Sequence, residues 1–474
     1  MWHLFYNVVL FLASPVILVI LLAKQRCRRG LLQRLGLQDN LFGWSRLSRS
    51  FGGRDQEARA KRDQPNEPKK PVIWLHAVSL GEAVAITPLV KELQRRHPDC
   101  RFVVSTVTET GREAVEQRLA GVAEHLYAPL DFPWVVSRLV TRLRPVLYLF
   151  VETELWPNLL RDLHRRKIPT IMVNGRLSSQ SFARQQWGPV RLFYRSMLQR
   201  LSLCLMQSDR DAERIIALGA EPRVVRRIGN IKFDQPMPAS AGTELNRASL
   251  GLQDQEQLLV AGSTHPGEEE ALVDCYRSLI TRVPSAVLLL APRHIERAEQ
   301  LEGMIRARGL APQRRSAMRA APSNAQSNVQ AGPRVIILDS RGELAMLYRE
   351  AAVTYVGGTL VPVGGHNLLE PAVWAKPVLF GPYTDHCAEI ASLLNEAGGG
   401  RRVEDADDLT RQVLHLFEHA EERVAMGQAA RRVVEQNQGA LRSTVEAIES
   451  LLTTDRSGTD SAPVENRVSL MAGR

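Results

Sequence analysis

The feature that most constrains this chain is a rhythm that runs along it twice: short apolar runs, each followed by a stretch of helical periodicity. In the first series Val72–Leu75, Phe102–Val107, Val146–Val151, Thr170–Val173, Leu203–Gln207 and Val224–Ile228 read as strands. Helical stretches follow at Gly81–Arg96, Arg112–Leu119, Leu155–Arg166, Ser181–Leu201 and Asp209–Leu218. Ser240–Gln255 interrupts the series, and Leu258–Ala261, Ala286–Leu290, Val335–Leu338, Val353–Val356 and Val378–Phe380 resume it. Strands this short and this uniformly apolar are buried on both faces, which requires helices on both sides of a parallel sheet. The pattern predicts an α/β protein of two Rossmann-like, doubly wound domains facing across a cleft. Ligands are expected beyond the carboxyl ends of the strands. A chain of 474 residues is long enough to give each domain its own core.

The flanks of this pattern suggest where the protein resides. Trp2–Ala23 contains no Lys, Arg, Asp or Glu, and a helix of that length can span a bilayer. Lys24, Arg26, Arg28 and Arg29 follow the apolar run, whereas a cleavable signal peptide carries its positive charge before it. The positive-inside rule then places the bulk of the chain in the cytoplasm. Residues 1–23 are therefore expected to be a membrane anchor, either a single-pass transmembrane helix or, because His3, Asn7 and Pro15 weaken the span, a monotopic one. Residues 24–70 read as a basic juxtamembrane linker in which Phe42 and Trp44 can touch lipid headgroups. The two domains are assigned to 71–239 and 240–424, a terminal helix to 425–452 within the helical stretch Glu421–Leu452, and a disordered tail to 453–474. Arg314–Gly332, rich in Ala, Ser, Asn and Gln, reads as a surface insertion.

The net charge of +10 calls for an anionic partner. Aromatic residues are 6% of the chain and are not interleaved with basic ones, so a phospholipid surface or an anionic substrate ranks above nucleic acid. Cys27, Cys100, Cys204, Cys275 and Cys387 form no CxxC pair, which points to a reducing compartment and away from a disulfide framework or a zinc site.

Candidate chemistry sits where strands give way to helices. In Val72–Ala83 (VIWLHAVSLGEA), Glu82 falls in the first helical turn, where a carboxylate can take a proton from a substrate hydroxyl. The helix dipole should hold it ionised while desolvation opposes this; a carboxylate there can equally serve only as a dipole partner. Ala77-Val-Ser79-Leu-Gly81 resembles a nucleophile elbow, but that chemistry belongs to a one-sheet fold. Glu152 and Glu154 directly follow another apolar run, and Lys232 lies just past the last strand of the first series. In the second series Gly262–Glu268, Ala291-Pro292-Arg293-His294 and Ser340-Arg341-Gly342-Glu343 repeat a turn-to-helix pattern suited to anions. Val361–Phe380 adds Gly364-Gly365, which permit close approach of backbone to a ligand, before a helix start whose N–H groups would point at it. Asn367 and Glu370, three apart, share a helix face, and a carboxylate there suits ribose hydroxyls. Together these suggest a nucleotide. Asp405-Ala-Asp407-Asp408 reads as a helix cap rather than a metal motif. His366 and Glu370 lack the second histidine of a zinc helix, so no metal or other cofactor is expected.

The segments SLGEA, ETELWPN, GNIKFD, GSTHPGE, PRH and GGHNLLEP, in this order, resemble the bacterial 3-deoxy-D-manno-oct-2-ulosonic acid (Kdo) transferases, and the resemblance runs from the N-terminus to about Leu452. That family is similar to other GT-B type glycosyltransferases. The resemblance implies a metal-independent inverting transfer of Kdo from CMP-Kdo to the lipid A precursor (lipid IVA) at the cytoplasmic face of the inner membrane, in lipopolysaccharide biosynthesis, with release of CMP. It implies Glu82 as general base, with Glu152 and Lys232 supporting the transition state. It places donor contacts at Pro292, Arg293, Arg341, Gly342, Glu343, Asn367, Leu368, Leu369 and Glu370. Another membrane-surface glycosyltransferase, or a non-catalytic nucleotide-binding protein in which Glu82 only caps its helix, are the competing readings.

Overall fold

The computed structural model describes residues 2–23, 30–37, 70–235, 245–320 and 333–457. The basic cluster after Ala23, the linker with Phe42 and Trp44, most of the Arg314–Gly332 insertion and the end of the tail lie outside the described residues. Contacts divide the chain into two units, Met1–Gln235 with Gln438–Arg474, and Pro236–Asn437.

The first unit holds seven strands: β1 (Val72–His76), β2 (Arg101–Thr106), β3 (Glu124–Tyr127), β4 (Pro145–Val151), β5 (Thr170–Gly175), β6 (Leu203–Met206) and β7 (Val225–Arg227). Their order is β3-β2-β1-β4-β5-β6-β7, every pair parallel. The second unit holds β8 (Gln257–Thr264), β9 (Ala286–Pro292), β10 (Ala311–Arg314), β11 (Arg334–Ile337), β12 (Ala351–Val356), β13 (Val378–Phe380) and β14 (Gly400–Arg402). Its order is β10-β11-β9-β8-β12-β13-β14, again all parallel. In each sheet the winding reverses beside its first strand, between β1 and β4 and between β8 and β12.

The period of two along each strand builds the cores. Ile73 and Leu75 enter one core and Val72 and Trp74 the other, so the sheet is covered on both faces. Leu259 and Ala261 against Leu258 and Val260 repeat this in the second unit. The three strands that the apolar pattern does not announce, β3, β10 and β14, all lie at sheet edges. Their sequences, EHLY, APQR and GRR, are only partly buried, as edge strands tend to be.

Two expected long helices are each broken. Ser181–Leu201 is replaced by Ser179–Gln185 and Gly188–Leu198, because the chain leaves helical geometry at Trp187 (φ −59°, ψ 129°) and restarts with Pro189 in the first turn. Glu421–Leu452 is replaced by Ala420–Gln436 and Ala440–Ser457, with Gly439 at φ 104° in the break. Past that break the chain leaves the second unit, and Val445 and Ile448 enter the core of the first beside Ile86 and Leu89. The Asp234 carboxylate accepts the Gly439 and Leu441 N–H groups at 2.6 and 2.8 Å, capping the returning helix.

Trp2–Ala23 is one helix with Pro15 inside it. Tyr6 donates to the Asp131 carboxylate at 3.0 Å, and Asn7 and Asn158 exchange amide hydrogen bonds at 3.2 and 2.7 Å. Asp131 also caps the helix Pro157–Arg165 through the Asn158 and Leu159 N–H groups. Asn7, one of the residues that weaken the apolar run, thus lies with Tyr6 on its inward side. Leu4, Phe5, Val8, Val9, Phe11, Leu12, Val16 and Val19 are exposed. Among the described residues no helix is long and apolar enough to cross a membrane. The single-pass expectation is not supported, because Tyr6 and Asn7 pair with folded-domain side chains instead of interrupting a span.

Ile448 has no exposed surface. Ile448→Ala should lower stability by about 2–5 kcal/mol, the range for truncating a buried aliphatic side chain. Denaturant unfolding checks this, and an unshifted midpoint would contradict the packing of the returning helix.

Candidate active site

In the first unit, three carboxylates gather at the switch point. Glu82, in the first turn of the helix Leu80–Arg96 after β1, accepts the Val78 N–H at 2.8 Å and the Ser79 hydroxyl at 3.1 Å. Ser79 therefore donates to Glu82 rather than capping the helix itself. Desolvation, with smaller contributions from Glu152 and Glu154, outweighs these hydrogen bonds and pushes the Glu82 carboxyl up to about 7. Of the two opposing effects expected from the sequence, the helix dipole and desolvation, burial wins. Glu154 is raised too, by burial and then by Glu152.

Glu152 directly follows β4 at φ 56°, in the left-handed region that a side chain seldom adopts. Its carboxylate lies 3.6 Å from Lys232 Nζ, in the turn after β7. That turn is held by residues the sequence analysis did not single out. Asn174, at φ 56° near the end of β5, accepts the Ile231 N–H at 3.0 Å. Gln207 donates to the Asn174 carbonyl at 2.9 Å, and Asn230 donates to Gln207 at 3.1 Å. The ends of three neighbouring strands are thus tied to the segment that carries Lys232. The VNG tripeptide was the available signal, since Asn and Gly tolerate positive φ.

In the second unit the central element is Glu268. Fully buried, it accepts the N–H groups of His265, Gly358, Thr359 and Leu360 and the Tyr355 hydroxyl at 2.7–3.0 Å. This carboxylate joins the loop after β8 to the loop after β12. Ser263, at φ 57°, bends the chain into the first of these loops. Glu269 beside it pairs with Arg297.

The expected donor residues separate into groups. Pro292 closes β9, and Arg293 is anchored by its N–H to the Thr264 carbonyl at 2.9 Å while its side chain is exposed. Asn367 donates to Glu370 at 3.3 Å and accepts the Leu369 N–H at 3.1 Å. Leu368 and Leu369 are buried. The helix expected here begins after Leu368 but spans only Leu369–Ala372, with Pro371 inside it and Ala375 at positive φ beyond it, so its dipole is small. Gly364 and Gly365 have φ of 103° and 86°. A Cβ at either would approach His386 Nδ1 or Cys387 Sγ to 2.8 Å, so the clearance is filled by protein. Arg341 is exposed and 3.4 Å from Glu296, and Gly342 turns at φ 87°. The Glu343 carboxylate is engaged by Arg315 at 2.9 Å and Ser340 at 2.7 Å. Among the described residues no group of three or more His, Cys, Asp or Glu is disposed to hold a metal ion.

A family model described as 3-deoxy-D-manno-octulosonic-acid transferase (kdotransferase) matches residues 49–235. The 3-deoxy-D-manno-octulosonic acid transferase of Haemophilus influenzae is 32% identical over 457 residues, covering 95% of this chain and 99% of that one. The Bordetella pertussis enzyme of the same name is 32% identical and covers 87% of this chain and 96% of its own. In fold, the chain is similar to a UDP-GlcNAc 2-epimerase from Neisseria meningitidis (TM-score 0.56, 14% identity, 80% of this chain and 100% of that one). A glycosyltransferase from Rickettsia africae is comparable (TM-score 0.52, 12% identity, 81% and 99%).

Two doubly wound parallel sheets, each with ionisable side chains at its carboxyl edge, place the chain in the GT-B fold class. Identity of 32% along almost the whole length then fixes the family: the chain belongs to the 3-deoxy-D-manno-octulosonic acid (Kdo) transferases.

Glu268→Ala should leave four backbone N–H groups unpaired and lower stability by about 3–5 kcal/mol, as for other buried charge networks that lose one partner. Hydrogen exchange should accelerate at residues 358–360 before the rest of the unit. Protection equal to wild type would refute the stapling role of Glu268.

Proposed function

We propose that this chain transfers Kdo from CMP-Kdo to the lipid A precursor (lipid IVA) in lipopolysaccharide biosynthesis, with inversion and release of CMP. On this reading residues 71–239 form the acceptor domain and 240–424 the donor domain. The observation that carries the proposal is Glu82: a desolvated carboxylate at a switch point, raised to about 7 and beside two further carboxylates. A base of that strength is half ionised near neutrality and can remove the acceptor hydroxyl proton as the bond to the anomeric carbon forms. Lys232, held against Glu152, supplies positive charge where negative charge develops. Pro292, Arg293, the Arg341–Glu343 turn and Asn367–Glu370 are assigned to the CMP moiety, with Arg293 and Arg341 the exposed cations among them. Phosphate and carboxylate held by cations need no metal for CMP to leave.

The exposed apolar side of Trp2–Ala23 supports a monotopic seat on the inner membrane, with the catalytic units on the cytoplasmic side. An open groove lined by Val8, Phe11, Leu12, Phe132, Pro133 and Trp134 extends that apolar surface. Phe5→Asp with Phe11→Asp should move the protein from the membrane pellet to the soluble fraction, and retention in the pellet would remove this helix as the anchor.

The second reading is favoured by one observation: the hydrogen bonds of Glu82 to Val78 and Ser79 are those of a helix cap, which would suit a non-catalytic nucleotide-binding protein. Glu82→Gln separates the two, because glutamine can still accept the Val78 N–H. Transfer to lipid IVA should fall on the order of 10²–10⁴-fold with donor binding unchanged. Equal rates would refute the general-base assignment. Because only the ionised form acts as base, kcat/KM should rise as pH rises through about 7, an acid limb that is absent in Glu82→Gln. Arg293→Ala should weaken CMP-Kdo binding by about 2 kcal/mol, the scale of one charge-assisted contact.

A further inference from the structure

The loops after β8, β9, β12 and β13, four neighbours in the sheet, bring His265, His294, His366 and His386 together with Arg293. His265 Nε2 and His366 Nε2 are 2.8 Å apart, with their rings 3° from parallel. At that distance one ring must donate its Nε2 proton to the lone pair of the other, so the pair shares a single proton in the contact. The nearest carboxylate, Glu268, is already taken up by four backbone N–H groups and the Tyr355 hydroxyl. Arg297 is paired with Glu269. Glu268 is thus set against several potential cations: His265, His294, His366, His386 and Arg293. Burial, then His265, Arg293, His386 and His294, hold His366 down at about 4. Burial, His294, Arg293 and Arg297 depress His265 against the opposing effect of Glu268. Both rings are therefore uncharged near neutrality.

We propose that His265 and His366 are positioning residues for the sugar nucleotide, acting as one unit that takes up a proton when the donor's anionic group arrives. The inference rests on the donor reading of this edge. The incoming proton comes from solvent and binds Nδ1 of the ring that donates its Nε2 proton, so the contact between the rings survives and the pair becomes a cation. Anion binding favours the charged form, so proton uptake and donor affinity are linked: affinity increases as pH falls.

The probe is cytidine 5′-methyl phosphate, a diester that does not titrate near neutrality, bound to the full-length protein in the calorimeter. Titrations at pH 7.5 in two buffers of different ionisation heat count the protons. The expected result is uptake of roughly one-half to one proton per ligand, with affinity rising up to about tenfold per pH unit between pH 8 and 6.5. In His265→Gln and in His366→Gln the ligand should still bind, with uptake and pH dependence lost. Binding by wild type without proton uptake overturns the pair while the donor site stands. Uptake that persists in both variants, or disappears only in His294→Gln or His386→Gln, also overturns it. If wild type does not bind the probe at all, the donor reading falls and the pair with it. The wild-type measurement decides even if a variant does not fold.

Discussion

The loops on the functional edge of the second unit depend on one buried carboxylate. Glu268 collects donors from two segments more than ninety residues apart in sequence, a separation set by its bonds to Gly358 through Leu360. A buried carboxylate is tolerated only when its lone pairs are filled, and here five donors fill them. In return, backbone groups that would otherwise lie unpaired in tight turns are satisfied without a helix. That explains how the loop from Gly357 to Leu368 keeps a defined path with only a four-residue helix after it. With its lone pairs filled, Glu268 leaves the neighbouring His265 and His366 side chains to pair with each other.

The first unit solves the same problem by different means. Its loops are fixed by neutral amides, with Asn174, Gln207 and Asn230 linked at the ends of β5, β6 and β7. Neutral partners leave the carboxylates Glu82, Glu152 and Glu154 without a strong buried cation nearby. Lys232 at 3.6 Å from Glu152 is the exception, and both side chains are partly exposed. Proton affinity is therefore free to rise, as it does for Glu82 and Glu154. An acid-rich edge suits removal of a proton, and an edge carrying Arg293 and four histidines suits an anion, the division of chemistry on which the proposed function rests.

Much of the fold was legible in the sequence because central parallel strands are buried on both faces and must be apolar throughout. Strands β3, β10 and β14 were illegible for the converse reason: at an edge, EHLY, APQR and GRR meet solvent and carry no such signature. Helix breaks were written at Gly188-Pro189 and Gly439 but overridden by long helical periodicity on either side. The position of Glu82 in a first turn was legible, but not its protonation, which depends on burial by residues remote in sequence. Periodicity likewise could not announce that His366 meets His265, three residues before Glu268, since the two histidines belong to different loops.

The N-terminal helix shows why composition alone misleads about membranes. A run without charges reads as a span, yet Tyr6 and Asn7 are placed one after the other on one side of the helix and find Asp131 and Asn158. Asp131 simultaneously caps the helix Pro157–Arg165, which follows the Glu152–Glu154 segment directly. The contact that orients the apolar side of Trp2–Ala23 outward is therefore made on the same buried carboxylate that sets the start of that helix. The exposed apolar side is thereby continuous with the scaffold of the edge that carries Glu152 and Glu154, whereas a spanning helix joined by a linker would be independent of it.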